Sequence, residues 1–151
     1  MRYIDMTAWY NKYLNLPYKH LGQDPETGID CFNLCTLILK QECGYNISRS
    51  TSDFCNIVDD DWYDKVSESL FDNGAKLNAP DFSWKQVAAP EIYDILVLNI
   101  GSTNVANHCA MYIGDNKLLQ IMIDRPSWVS TYGKYYKQYT LGIYRWNVLK
   151  N

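Results

Sequence analysis

Apolar residues recur with helical spacing in the first third of this chain and with strand spacing in the last third. In residues 3–15, Ile4, Ala8, Trp9 and Tyr13 lie close to a helical repeat. Leu16-Pro17 is expected to end that helix, because the residue before proline avoids the helical region. Residues 17–29 lose the repeat and carry Gly22, Pro25 and Gly28, which predicts a loop. The clearest helix is 31–43: Leu34, Leu37 and Ile38 share one face with Cys31 at its head, and Gly44 is the natural stop. Residues 45–90 are less regular. Asp59-Asp60-Asp61 precedes Trp62, Val66, Leu70 and Phe71, which predicts a second helix ended by Asn73-Gly74. Acids in a first turn suit the helix dipole, so the triplet is read as capping rather than as a metal site. Pro80 and Pro90 bracket a loop with a short element at Ser83–Val87.

From residue 92 the spacing changes. Asp94-Ile95-Leu96-Val97-Leu98 is a continuous apolar run behind one acid. His108–Ile113 and Lys117–Ile123 flank Gly114-Asp115-Asn116, a hairpin turn signal. Leu141–Trp146 is a last strand, and Tyr132–Tyr139 reads as a short helix or as irregular chain. Helices first, then an antiparallel meander, predict an α+β fold, and 151 residues make one ordinary domain.

Composition narrows the partners. With 47% hydrophobic and 21% charged residues the chain is globular. A net charge of −3 argues against nucleic acid, since phosphate binding needs a basic surface. No apolar run reaches the ~18 residues of a membrane span. Met1-Arg2-Tyr3-Ile4-Asp5-Met6 lacks the apolar core of a secretory signal, so exit from a cell is expected by lysis or within an assembly. The five cysteines, at 31, 35, 43, 55 and 109, are odd in number and include no CxxC pair. Neither a zinc site nor a disulfide framework is expected; they read as reduced thiols. Thirteen tyrosines and five tryptophans are read first as packing and sheet propensity, ahead of an aromatic-lined groove.

The chemistry concentrates in two segments. In Gly28-Ile29-Asp30-Cys31-Phe32-Asn33-Leu34 a cysteine opens a helix. Unpaired backbone N–H groups and the positive end of the helix dipole favour thiolate there. A thiolate is the nucleophile that amide chemistry needs. In Asn107-His108-Cys109-Ala110 a histidine opens a strand and is the candidate base; His20, in the loop nearer Cys31, is the rival. Cys35, one helical turn further on, is assigned to the core. A Cys–His pair also needs a group that orients the imidazole, and Gln120 is the candidate. A three-residue loop at Gly114–Asn116 would place Gln120 opposite Ala110 and diagonal to His108 on one face. A two-residue loop would turn it to the other face.

Pro17-Tyr18, the loop to Gly28, Asp30-Cys31, the run Asp94–Leu98, and His108…Tyr112-Ile113-Gly114-Asp115-Asn116-Lys117…Gln120 resemble the NlpC/P60 cysteine peptidases. The resemblance implies a papain-like fold in circularly permuted order, with N-terminal helices packed on an antiparallel sheet. It implies Cys31 as nucleophile, His108 as base and Gln120 as the orienting residue. It also implies Tyr18 as an oxyanion or substrate contact and Asp30 as a ligand for a free substrate amine, or simply as the helix cap. Metal and cofactor are not implied. The implied activity is hydrolysis of peptidoglycan stem peptides. Asp30-Cys31-Phe32, Arg125-Pro126-Ser127 and Tyr144-Arg145-Trp146 are similar to the family's phage-tail branch, which implies a virion tail component, made in the host cytoplasm, that opens the wall locally beside tail or baseplate proteins. Three positions depart from the family. Phe32 and Asn33 stand where serine and glycine are common, and Asn33 is expected to crowd the helix start; Gln120 stands where histidine is common. These departures motivate an alternative, a structural tail-tip or baseplate subunit with weakened or lost catalysis. A third reading is an amidase or acyl-transfer enzyme acting on another substrate.

Overall fold

The computed structural model describes residues 8–47, 50, 51, 84–100 and 107–147. The helix expected around 62–71, with its acidic cap at 59–61, lies outside the described residues. At the N-terminal end of the described chain stands a 3-10 helix, Trp9–Tyr13, which gives way to extended chain at Leu14. The helix expected over 3–15 is therefore shorter within the described residues and ends before Leu16-Pro17. Its exit is held by a distant strand: the Ser127 hydroxyl accepts from Leu16 N at 2.9 Å and donates to the Tyr13 carbonyl at 2.6 Å. Asn15 N and the Ser127 carbonyl add a backbone bond at 3.0 Å. Pairing with a strand keeps these residues extended, whatever their local apolar spacing.

Within the loop at 17–29 two short strands pair, β1 (Gln23–Asp24) and β2 (Gly28–Ile29). The backbones at Gly22 and Gly28 are pressed together, and a Cβ on Gly22 would lie 2.3 Å from the Gly28 carbonyl oxygen. Only glycine permits that approach. It folds the loop back against the head of helix α1 (Cys31–Cys43), where Asp30 N donates to the Gly22 carbonyl at 3.1 Å. At the other end Gly44 adopts the left-handed conformation (φ 74°), and the N–H groups of Gly44 and Tyr45 close on Lys40 and Leu39. This is the stop expected from the sequence. The buried face of α1 carries Cys31, Leu34, Cys35, Ile38 and Leu39; Leu37, expected on that face, is only half-buried.

The main sheet contains β3 (Trp84–Val87), β4 (Ile95–Leu98), β5 (His108–Tyr112), β6 (Lys117–Met122), β7 (Arg125–Thr131) and β8 (Thr140–Trp146), in spatial order β3-β8-β4-β5-β6-β7. Every pairing is antiparallel. The expected meander holds from β4 to β7 and then breaks, because β8 returns between β3 and β4. All four residues of β4 are buried, and so apolar a strand belongs inside the sheet with a partner on each side. β8 supplies the second. β7, which contains Pro126, has no counterpart among the strands expected from the sequence. It forms an edge of the sheet, where a missing N–H removes no ladder bond, and the register shifts there between Gln120 and Met122. Within Tyr132–Tyr139, expected as a short helix or irregular chain, Lys134–Tyr139 is a short helix, α2.

The sheet is covered on both faces. Ile95, Val97, Cys109, Met111, Leu119 and Ile121 pack with the apolar face of α1. Leu96, Leu98, Ala110, Leu118 and Ile143 pack with Tyr132 and the half-buried Tyr136 of α2 on the other face. The layout is helix and antiparallel sheet together, as the α+β expectation requires. It carries the N-terminus of α1 to the beginning of β5.

Candidate active site

Asp30 is the N-cap of α1: its backbone is extended, and Oδ1 accepts from Asn33 N at 2.8 Å. The same oxygen accepts from the Thr51 hydroxyl at 2.7 Å. Its other oxygen, Oδ2, is buried and has no partner among the described residues. Burial first, and the neighbouring Cys31 thiolate second, push the Asp30 carboxyl up to about 7. Asn33 does not crowd the helix start. Its Nδ2 donates to the Gly22 carbonyl at 2.9 Å, and its Oδ1 accepts from Thr51 N at 3.3 Å. The side chain crosslinks the loop, the helix and residue 51, occupying the space that glycine would leave empty.

Cys31 follows directly, in the first turn of α1 and only 3% exposed. Its thiol is held well below the usual range. The largest cause is a hydrogen bond from the Cys109 thiol; a hydrogen bond and the charge of His108 add to it, against the opposing effect of burial. Burial pushes Cys109 and Cys35 well up, and the Cys31 thiolate adds to both. Cys31 is therefore the one thiolate within a buried group of three cysteines.

The hairpin joining β5 and β6 fixes the other half of the site. Ile113 N bonds the Lys117 carbonyl at 3.1 Å, and Lys117 N bonds the Gly114 carbonyl at 3.0 Å, leaving Gly114–Asn116 as a three-residue loop. All three loop residues have positive φ. Met111 faces Leu119 and Tyr112 faces Leu118; one step further, this register sets Ala110 opposite Gln120. The odd loop thus turns Gln120 to the face of His108, and His108 Nε2 lies 2.8 Å from Gln120 Oε1. Gln120 Nε2 donates to the Ser130 hydroxyl on β7 at 2.6 Å. With the amide oxygen facing the ring, His108 carries its proton on Nε2. Nδ1, buried and not engaged by any other described group, is then the acceptor left for the thiol.

The structure thus brings Cys31, His108 and Gln120 together, with Asp30 beneath the nucleophile. Tyr18 stands in the adjoining loop, bridged in parallel to Ile29, with its ring packed on the core that contains Cys31. His20 is buried in the same loop and lines a cavity of about 480 Å³ with Lys19, Leu21 and Thr27, a lining that includes neither Cys31 nor His108. Three participants escaped the sequence reading: Cys109, Ser130 and Thr51. The adjacency of His108 and Cys109 is visible in the sequence, but alternation along a strand gives no reason to expect both at one sulfur. Ser130 and Thr51 carry no local signal.

The NlpC/P60 family model matches residues 15–145. The chain belongs to the NlpC/P60 family. Solved structures resemble it, two of them as follows. One is a Staphylococcus aureus protein described as similar to lipoprotein, NLP/P60 family, with a TM-score of 0.59 and 17% identity over 91% of this chain. The chain spans 39% of the length of that protein. The other is the NlpC/p60 domain of the peptidoglycan hydrolase SagA, with a TM-score of 0.53, 16% identity, and coverage of 89% of this chain and 90% of that domain. At such identities the likeness is one of fold, and it agrees with the NlpC/P60 architecture of helix and antiparallel sheet. No curated protein matches the chain.

Proposed function

We propose that this protein is a cysteine endopeptidase of peptidoglycan stem peptides, acting through Cys31, His108 and Gln120. The observation that carries the reading is the contact of a depressed-pKa cysteine at a helix N-terminus with a histidine whose far nitrogen is held by Gln120 Oε1 at 2.8 Å. Membership of a family in which one structural neighbour is a peptidoglycan hydrolase supports the substrate class.

In this reading His108 Nδ1 takes the Cys31 proton and the sulfur attacks the amide carbon. The backbone N–H of Cys31, which has no partner within the helix at its first position, faces the developing oxyanion, and Tyr18 is assigned as the second contact. The imidazolium returns its proton to the leaving amine, and water hydrolyses the thioester. The unpartnered Asp30 Oδ2 is a candidate acceptor for a free amine on the substrate. The resemblance of Arg125-Pro126-Ser127 and Tyr144-Arg145-Trp146 to the phage-tail branch supports a place in a virion tail, beside tail or baseplate proteins.

A second reading keeps the fold and loses the chemistry. It is favoured by burial: Cys31 is 3%, Gln120 1% and His108 0% exposed. A structural tail subunit would need no access to these groups. Mass spectrometry of soluble muropeptides, released by the protein and in parallel by Cys31→Ala, separates the two. New fragments that appear only with the unaltered protein establish the endopeptidase and name the bond. No fragments from several wall types, with folded protein confirmed, leave the structural subunit.

A further inference from the structure

A carboxamide is nearly symmetric in shape, and turning it over exchanges its acceptor for its donor. At Gln120 that exchange has chemical consequences. With Oε1 on His108 Nε2, the ring holds its proton at Nε2 and keeps a lone pair at Nδ1. Once the ring is doubly protonated, Oε1 still accepts the Nε2 proton. With the amide reversed, its NH2 group would face Nε2, the ring proton would move to Nδ1, and no lone pair would remain toward Cys31. A reversed amide would also oppose the imidazolium, donor against donor. The geometry of the Cys–His pair therefore depends on which way a side chain one residue removed from the sulfur is turned.

The far end of the amide is anchored on β7. Gln120 Nε2 donates to Ser130 Oγ at 2.6 Å, a short bond that engages the nitrogen end and leaves the oxygen for His108. The sheet builds this contact. Gln120 stands directly across from Trp128, so Ser130, two residues on, is its diagonal neighbour on the same face. Trp128 is half-buried and stacked under Arg125, whose guanidinium carbon lies 3.7 Å from the ring centre.

We propose that Ser130 is a positioning residue that acts through Gln120, anchoring the amide beside His108 so that Oε1 stays on Nε2 and the ring keeps its Nε2–H form with Nδ1 turned to Cys31. This rests on the peptidase reading for its catalytic meaning, but its physical content is a tautomer and can be measured without turnover.

The test uses the full chain labelled with ¹⁵N in its histidine rings. There are two histidines, His20 and His108, so the assignment is direct. In a Cys31→Ala background, where the thiol cannot share the ring proton, the two ring nitrogens of His108 are expected to show the Nε2–H pattern. Ser130→Ala in the same background is expected to give a mixture of the two neutral tautomers. In the protein with Cys31 intact, Ser130→Ala is expected to slow iodoacetamide alkylation of Cys31 at neutral pH about tenfold, the effect of losing one buried hydrogen bond. Its pH midpoint should move up. Threonine and valine have the same shape, so Ser130→Thr and Ser130→Val keep the comparison sound if alanine weakens the strand: threonine should restore both readouts and valine should not. An unchanged tautomer and an unchanged alkylation profile in Ser130→Ala, or equal behaviour of the threonine and valine variants, would overturn the proposal. A tautomer shift in a protein that releases no muropeptide fragments would uphold the role of Ser130 and sink the peptidase reading instead.

Discussion

Asp94 and Arg145 meet side-on, Nε to Oδ1 and Nη2 to Oδ2, both at 2.8 Å. The carboxylate is 1% exposed and closes the turn that leads into β4; the guanidinium comes from β8, the strand inserted beside it. Among the described residues the carboxylate's one other hydrogen bond is from Glu91 N, at 2.8 Å on Oδ2. Arg145→Ala would leave a buried charge held by that backbone N–H alone. A loss of about 2 kcal/mol is expected, below the roughly 3–5 kcal/mol of a wholly buried pair, because the Arg145 side chain is 36% exposed. Arg145→Lys should recover little, since an ammonium cannot reproduce two parallel bonds. Urea unfolding of the three proteins checks this, and a loss under ~0.5 kcal/mol for alanine would refute it.

Cys109 should control the titration of Cys31. Its thiol is the largest cause of the depressed Cys31 pKa, ahead of His108. Alkylation of the unaltered protein should therefore persist well below the pH at which an ordinary thiol stops reacting. Cys109→Ala should raise the midpoint, and Cys109→Ser, which keeps a donor, should raise it less. Cys35 and Cys109, both buried and pushed upward, should be the last thiols labelled. Indistinguishable pH profiles for the alanine variant and the unaltered protein would exclude the thiol–thiol contact as the cause.

Asp30 makes folding sensitive to pH in a definite direction. Its carboxyl titrates at about 7 in the folded chain, against 3.8 for an unperturbed aspartate. Between those values the folded state binds more proton than the unfolded state, so the Asp30 contribution to stability falls as pH rises, by at most about 1.4 kcal/mol per pH unit. Cys31, shifted down, contributes in the opposite sense at higher pH, so the measurement is a difference. The stability of the unaltered protein minus that of Asp30→Asn should decline from pH 5 to pH 7 and level off above. A flat difference would show that Asp30 is ionised throughout.

Asn33→Gly restores the residue common in the family at this position and should cost stability rather than relieve crowding. It removes the bonds to the Gly22 carbonyl and Thr51 N and adds a glycine to the first turn of α1. About 1–3 kcal/mol is expected. A variant as stable as the original would show that those crosslinks contribute nothing.

Some of this molecule follows from local rules. The helix 31–43 and its Gly44 stop come from apolar spacing and a capping residue. The alignment of Gln120 with His108 depends on the parity of a turn: three residues between the strands turn the glutamine to the histidine's face, and two would not. The run Ile95–Leu98 announces a strand buried on both sides. Each of these depends on residues a few positions apart, and chain geometry alone relates them.

Other features were decided only by tertiary packing. β8 enters the sheet between β3 and β4 because β4 needs a second partner, and β7 forms despite Pro126 because it lies at an edge. The N-terminal segment is drawn out along Ser127, more than a hundred residues away in sequence. Asn33 reads locally as an obstruction, yet in the fold it is a crosslink, because Gly22 and Thr51 arrive on either side of it. The thiol of Cys109 and the hydroxyl of Ser130 take part in the site because α1 crosses β5 and β7 pairs with β6. Periodicity assigns a residue to a face of its own element, and only the packing of elements decides what that face meets.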